Sequence, residues 1–360
     1  ISFINASSTA YDEPFFLIAV GGTGTGNMSY AVSSGPCTVD ATTGYLEPTG
    51  TGPCVVTATR GSSGNFGATS SNPFTVNIVQ ASQAIVFMST VPPTPLPGTT
   101  YTPIAASNSG AAIDYWITAG DGAVCTFDQS SGVVTIVASG TCEISAQQPG
   151  DSNWLASDTV TQTMVAGRLN QSITFPAVAT KSYGDPVFAL GATATSGRAV
   201  TYTVVSGSST CSVSAGGAVT LGAVGTCVID ASQAGDNVYM PASTIRREIT
   251  VIPTVPSAPF LSSVSSNDGS VTVAYSAPSS DGGVPIQAYT VTVRQSGTDR
   301  SLDVVRTDCP LTLVCYIDGL TNGQSYTVTV TAKNSVGAGP ASTESPLILP
   351  VLNPQAVRGL

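Results

Sequence analysis

Eight cysteines, no histidine and a thin scatter of carboxylates bound the chemistry open to this chain. The cysteines fall at Cys37 and Cys54, Cys125 and Cys142, Cys211 and Cys227, and Cys309 and Cys315. Separations of 17, 17 and 16 in the first three pairs point to partners that bond to each other. A zinc site would want closely spaced Cys pairs or His ligands, and buried free thiols would leave the constant spacing unexplained. The three pairs are therefore predicted disulfides. Cys309–Cys315, only six apart, is predicted to bridge neighbouring strands or a local turn. Closing the longer loops removes roughly 3 kcal/mol of unfolded-state entropy in the chain-entropy model, and the shortest about 2 kcal/mol. Such bonds persist outside a reducing cytosol.

Little else could react. Without histidine the Ser-His-Asp and Cys-His arrangements are excluded in their common forms. Cysteines held in disulfides leave no thiol nucleophile. Asp12, Glu13 and Asp236 could in principle act as paired carboxylates, but adjacent side chains on an extended strand face opposite ways, and these residues sit among turn formers. The run GGTGTG at 21–26 lacks the Lys and following helix of a phosphate loop and reads as a hairpin. Gly-Asp pairs at 150–151 and 235–236 read as turns, since nothing nearby supplies the further oxygens that calcium needs. Lys181 and Lys333 are the only lysines, so an intramolecular Lys–Asn cross-link is open only to the last two domains. No catalytic residue, cofactor or metal site is expected, and the chain is read as a non-enzyme.

The elements that would carry these cysteines are strands. Only 9% of the 360 residues are charged, while 37 Gly and 24 Pro recur at short intervals, as many short strands joined by turns require. A net charge of −10 without a basic cluster disfavours nucleic acid and a polybasic membrane contact, and no apolar run is long enough to insert in a membrane as a helix. The cysteine periods of 88 and 85 residues mark an internal repeat. Twelve residues after Cys54, Cys142 and Cys227 stand Phe66, Trp154 and Tyr239, followed by Ala68, Ala156 and Ala242. Upstream, each copy has a Tyr and, five residues on, a Gly: Tyr30 and Gly35, Tyr115 and Gly120, Tyr202 and Gly207. Each opens with an alternating apolar strand at Ile1–Phe3, Ile85–Phe87 and Ile173–Phe175.

The third copy, from QSITFPAVATKSYGDPVFALGATATSG to GTCVIDASQAGDNVYMPA, resembles the MBG-like Ig-like repeats of large bacterial surface proteins. The first copy departs from it at Tyr11–Pro14, and the second in the Pro-rich VPPTPLPGTTYTP. After the joint at Pro253–Pro256, the runs Val271–Tyr275, DGGVPIQAYTVTV, Leu320–Val330 and AKNSVGAGPAS resemble a fibronectin type III domain. That resemblance implies a Tyr326 hydroxyl tying down an inter-sheet corner, with Tyr275 where the family usually has Trp. Together these imply an all-β tandem array of four Ig-like or fibronectin type III-like β-sandwiches, each with one disulfide. The expected domains are 1–80, 81–167, 168–253 and 254–350, with 351–360 a tail or linker.

Short joints at 77–85 and 164–173, and the prolines of the third, favour a semi-rigid rod on the order of 150 Å over loose beads. The expected role is a structural stalk, fibre or filament subunit on a bacterial cell surface. The alternatives are an adhesin, with Trp116 and Trp154 as possible contacts, and accessory domains of an extracellular hydrolase. Expected partners are other copies of the chain or neighbouring domains of a larger surface protein, or a protein or glycan ligand. A chain opening in a strand at Ile1 and closing in the tail from Pro350 points to head-to-tail strand addition.

Overall fold

The computed structural model describes residues 1–297, 304–309 and 311–351, and no helix occurs among them. By its contacts the chain forms two compact units. The first is Ile1–Leu169 with Asp236–Met240; the second is Asn170–Gly235 with the described residues from Pro241 onward. No helix is long and apolar enough to cross a membrane among the described residues.

Each of the three repeats closes two main sheets over one core, with a small two-stranded sheet beside them. In the first, Gly52–Arg60 lies between Met28–Ser34 and Phe74–Val79, and Ser8–Ala10 adds to the latter in parallel. The facing sheet is Phe15–Phe16, Tyr45–Pro48 and Cys37–Val39. The third repeat copies this, with Gly225–Ser232 between Thr201–Ser206 and Ile245–Ile252, and Lys181–Ser182 as the parallel edge. In the second, Gly140–Gln147 lies between Asp114–Ala119 and Val160–Ala166, and the parallel edge strand is missing. Its place falls in the Pro-rich segment, where proline has no N–H for a ladder. A single backbone bond, Gly167 N–H to the Pro95 carbonyl at 2.9 Å, stands there instead.

Alternation along the central strand builds the core. Cys54, Val56 and Ala58, Cys142, Ile144 and Ala146, and Cys227, Ile229 and Ala231 are all fully buried on one face. The structure joins Cys37 to Cys54, Cys125 to Cys142 and Cys211 to Cys227, with Cα atoms 5.9 Å apart in every case. In each pair the partners belong to opposite sheets, so the bond crosses the core. The repeated glycine serves the same spot. Gly35, Gly120 and Gly207 have positive φ, and a Cβ there would lie 2.1, 2.5 and 2.2 Å from the carbonyl oxygens of Pro53, Thr141 and Thr226. Each carbonyl belongs to the residue before the second cysteine.

Residues 260–348 form a fourth sandwich, with Phe260–Asn267, Ser270–Ser276 and Val314–Asp318 against Val304–Cys309, Ala288–Gln295 and Tyr326–Lys333. Tyr326 is buried and its hydroxyl accepts the Thr321 N–H at 2.9 Å, the corner tie expected of it. Tyr275 is 3% exposed and packs on Tyr289, ring centroids 4.9 Å apart.

One expectation is corrected and one made specific. The run at 21–26 is not a hairpin, because the strands it joins pair elsewhere: Ala19–Val20 with Ser2–Phe3, and Met28–Ser34 with Gly52–Arg60. It is a crossover whose Gly21 and Gly26 carbonyls accept from the Arg60 guanidinium at 2.9 and 3.1 Å. Cys309–Cys315 joins two neighbouring strands of the chain, which lie in opposite sheets, so the bond is not a local turn. The tail expectation falls on residues 352–360, outside those described.

Gly207→Ala should destabilise the third repeat by more than about 1 kcal/mol in urea unfolding, because the new methyl meets backbone at a positive φ. Gly191→Ala, with open space around it and an ordinary φ, should stay within about 0.5 kcal/mol. Burial, with a smaller contribution from neighbouring Tyr289, pushes the Tyr275 phenol up to about 12. The folded state thus holds the neutral phenol while the unfolded chain ionises near 10.0. The resulting stabilisation is full below that pH and is lost as pH rises toward about 12. Alkaline urea titrations of the last domain should show this slope, and Tyr275→Phe should flatten it.

Candidate functional site

The carboxylates and aromatics singled out by the repeat meet in one recurring turn. After the central strand of the second repeat, the chain turns so that Asp151 N–H donates to the Trp154 carbonyl at 3.0 Å. The Asp151 carboxylate caps the turn by accepting the Asn153 and Trp154 N–H groups at 2.8 and 2.9 Å. The third repeat does the same, Asp236 N–H reaching the Tyr239 carbonyl at 2.9 Å while its carboxylate accepts from Val238 and Tyr239. Both Gly-Asp pairs therefore spend an aspartate oxygen on the backbone. No group of three or more His, Cys, Asp or Glu able to hold a metal occurs among the described residues. Asp12 and Glu13 are exposed in a turn that follows Ser8–Ala10 and are not brought to Asp236 by any described contact.

What the turn does is catch the joint. Ala81, in the linker between the first two repeats, donates its N–H to the Asn153 carbonyl at 2.9 Å and accepts the Leu155 N–H at 2.8 Å, a one-residue parallel bridge. Trp154, 8% exposed, meets the Tyr11 ring edge-on at 5.8 Å. Thr51 donates its hydroxyl to the Ser152 carbonyl at 2.8 Å and its N–H to the Asn153 side-chain oxygen at 3.3 Å. Below the bridge, Ser109 donates to Gln83 at 2.6 Å, and Gln83 donates to buried Gln148 and to the Leu155 carbonyl. Gln148 in turn accepts the Gly150 N–H at 2.6 Å. Linker, turn and both sandwiches are thereby hydrogen-bonded into one block within the first unit.

The motif recurs with matching spacing. Leu169 N–H donates to the Val238 carbonyl at 2.7 Å and its carbonyl accepts from Met240 at 2.8 Å, all within the first unit. Within the second, Ser196 donates to Gln171, which donates to Gln233, which accepts from Gly235. Ala81 and Leu169 each stand four residues ahead of the repeat's opening Ile, Ile85 and Ile173.

The joint ahead of the last sandwich uses a different device. Asn334, fully buried, donates to the Thr254 and Asp281 carbonyls at 2.7 and 2.8 Å. Its side-chain oxygen accepts the Val336 and Gly337 N–H groups at 2.9 and 3.2 Å, so every polar valence is used. A Cβ at Gly283 would meet Tyr183 and Val224 of the third repeat at 2.8 and 2.4 Å, which shows how closely the two sandwiches of the second unit approach.

The remaining sequence candidates are dispersed. Trp116 is half-buried at an open depression lined by Ile113, Asp114, Phe127 and Gln129. Lys181 lies over the Phe188 ring, 4.2 Å from its centroid. The Gln–Gln–Ser chains and Asn334 were missed in the sequence. Gln83 and Gln171, each two residues before an opening Ile, were the available signal for the first.

Among solved structures, a crystal structure of consecutive titin domains is 15% identical over 75% of this chain and all of that one, with a TM-score of 0.30. A myokine structure is 19% identical over 27% of this chain and 98% of its own, TM-score 0.24. The twitchin kinase region from C. elegans is 22% identical over 28% of this chain, which spans 17% of that one, TM-score 0.22. A disulfide-pinned sandwich array with a fibronectin module suggests a structural or modular extracellular protein, and such modules are typically non-catalytic. The family profile that matches is the fibronectin type III domain, over residues 256–347. The C-terminal sandwich is a fibronectin type III domain.

Proposed function

We propose that this chain is a structural segment, a stalk or fibre of a bacterial cell surface built from MBG-like repeats, that holds other parts of a surface protein at a distance. The joints carry this reading. A bare linker would let the sandwiches swing, whereas Ala81, Gln83, Trp154 and Asn334 commit backbone and side-chain hydrogen bonds to fixing neighbours in place. That expenditure of buried polar groups serves spacing rather than chemistry. The sandwiches contribute stability largely one by one, with junction terms added, as in other arrays.

A second reading, an adhesin, rests on the Trp116 depression, where the rings of Tyr115, Trp116 and Phe127 lie with a carboxylate and an amide. An aromatic face with flanking polar groups is chemistry suited to a sugar ring or a peptide side chain.

Small-angle scattering of the full chain should give a maximum dimension on the order of 150 Å; a compact particle of half that length sinks the stalk reading. Asn334→Ala should cost on the order of 3 kcal/mol and broaden the distribution of dimensions, because four backbone groups lose their partner. A glycan array probed with the native chain and with Trp116→Ala tests the adhesin: binding lost in the variant supports it, and no binding by the native chain removes it.

A further inference from the structure

The first repeat carries the same turn as the other two, but open. Ser63 N–H donates to the Phe66 carbonyl at 3.1 Å, matching Asp151 with Trp154 and Asp236 with Tyr239 at the same distances from the second cysteine. In the other repeats the carbonyl one residue before the aromatic and the N–H one residue after it hold the linker bridge. Here those groups belong to Asn65 and Gly67, both exposed and without a hydrogen bond within the described chain. Phe66 is 52% exposed, where Trp154 is 8%. Beside it runs an open groove lined by Ile1, Gly22, Arg60, Phe66 and Gly67.

We propose that the Ser63–Gly67 turn is an acceptor for the linker of a further Ig-like repeat of this kind placed ahead of Ile1. The occupant is defined by what the chain itself twice puts on this turn: an extended segment whose residue four before the opening Ile donates to the carbonyl and accepts from the N–H. A whole repeat fits better than a free peptide. Asn153 and Trp154 also take Thr51 and Tyr11 from the body of the preceding sandwich, and Asn65 and Phe66 present the same carbonyl, amide and ring. Arg60 stands where the others have Gln148 and Gln233. With its Nε and Nη1 on the Gly21 and Gly26 carbonyls, it brings a cation to the groove, so the incoming linker should offer an acceptor such as a Gln oxygen. The main-chain pairing is strand addition reduced to one residue.

This inference rests on the array reading of the chain, and its test is separable from it. A copy of residues 82–172 is fused ahead of Ile1 in the full chain, which places the added Leu169 four residues before it. Exchange of the Gly67 amide should slow by about ten-fold or more relative to the unextended chain. A second fusion carries Leu169→Pro in the added copy, which removes the N–H offered to Asn65, and should return exchange to the unextended rate. Equal exchange in all three proteins overturns the proposal, as does slowing that survives the proline. Protection of Gly67 in the unextended chain that grows with concentration would overturn it in favour of a second copy as occupant. An elongated particle in scattering with an unprotected Gly67 would fail this inference alone and leave the array intact.

Discussion

Every sandwich of the repeat depends on one crowded point, where the second cysteine enters the central strand. Its sulfur crosses to the facing sheet, its neighbours two and four residues on fill the core, and the carbonyl just before it presses against a glycine that has no room for a side chain. A domain of this size buries a modest share of its surface, so the covalent tie and the close backbone approach carry weight that a larger core would supply by area. Removing either would loosen both sheets at once.

From the same strand the chain runs directly into the turn that catches the linker. Core and joint are thus one continuous device: six residues past the cysteine comes Gln148 or Gln233, nine past it the capping Asp, twelve past it the ring. This explains why the repeat is strict in spacing yet loose in identity. Trp154 and Tyr239 can exchange because the bridge to the linker is made by backbone groups rather than by the ring. Asp151 and Asp236 are replaced by Ser63 in the first repeat, where the Phe66 N–H bonds the Ser63 carbonyl instead of a side chain.

How much of this is legible in the residues follows from the range of each interaction. Disulfide partners, the glycine after the tyrosine and the aromatic after the cysteine recur at fixed intervals, so the three sandwiches and the turn can be read directly. Tyr326 is legible because its hydrogen bond is local. The Gln83–Gln148 contact spans 65 residues and Asn334 reaches back 80 to Thr254, and no local pattern announces either. The glycine run at 21–26 misleads for the same reason: composition marks a bend, but which strands flank it in a sheet is decided by distant partners. Cys309 and Cys315 look like a local clip, and only the sheet assignments show that the short connection passes from one layer to the other.

The parallel edge strand has a mechanical consequence. In the first and third repeats it lies beside the last strand, three residue pairs in one and two in the other, so tension applied along the chain loads those hydrogen bonds side by side rather than one after another. The second repeat replaces this clasp with prolines, one backbone bond from Gly167 to Pro95, and the Gln162 side chain, which donates to the Ser89 carbonyl and accepts from the Tyr101 hydroxyl. Its opening segment therefore lacks the parallel ladder that its counterparts have. The Cys125–Cys142 cross-link limits the slack released, since the loop between cysteines 17 positions apart cannot unravel. A sandwich built this way would give a little length under a sudden pull and keep its fold.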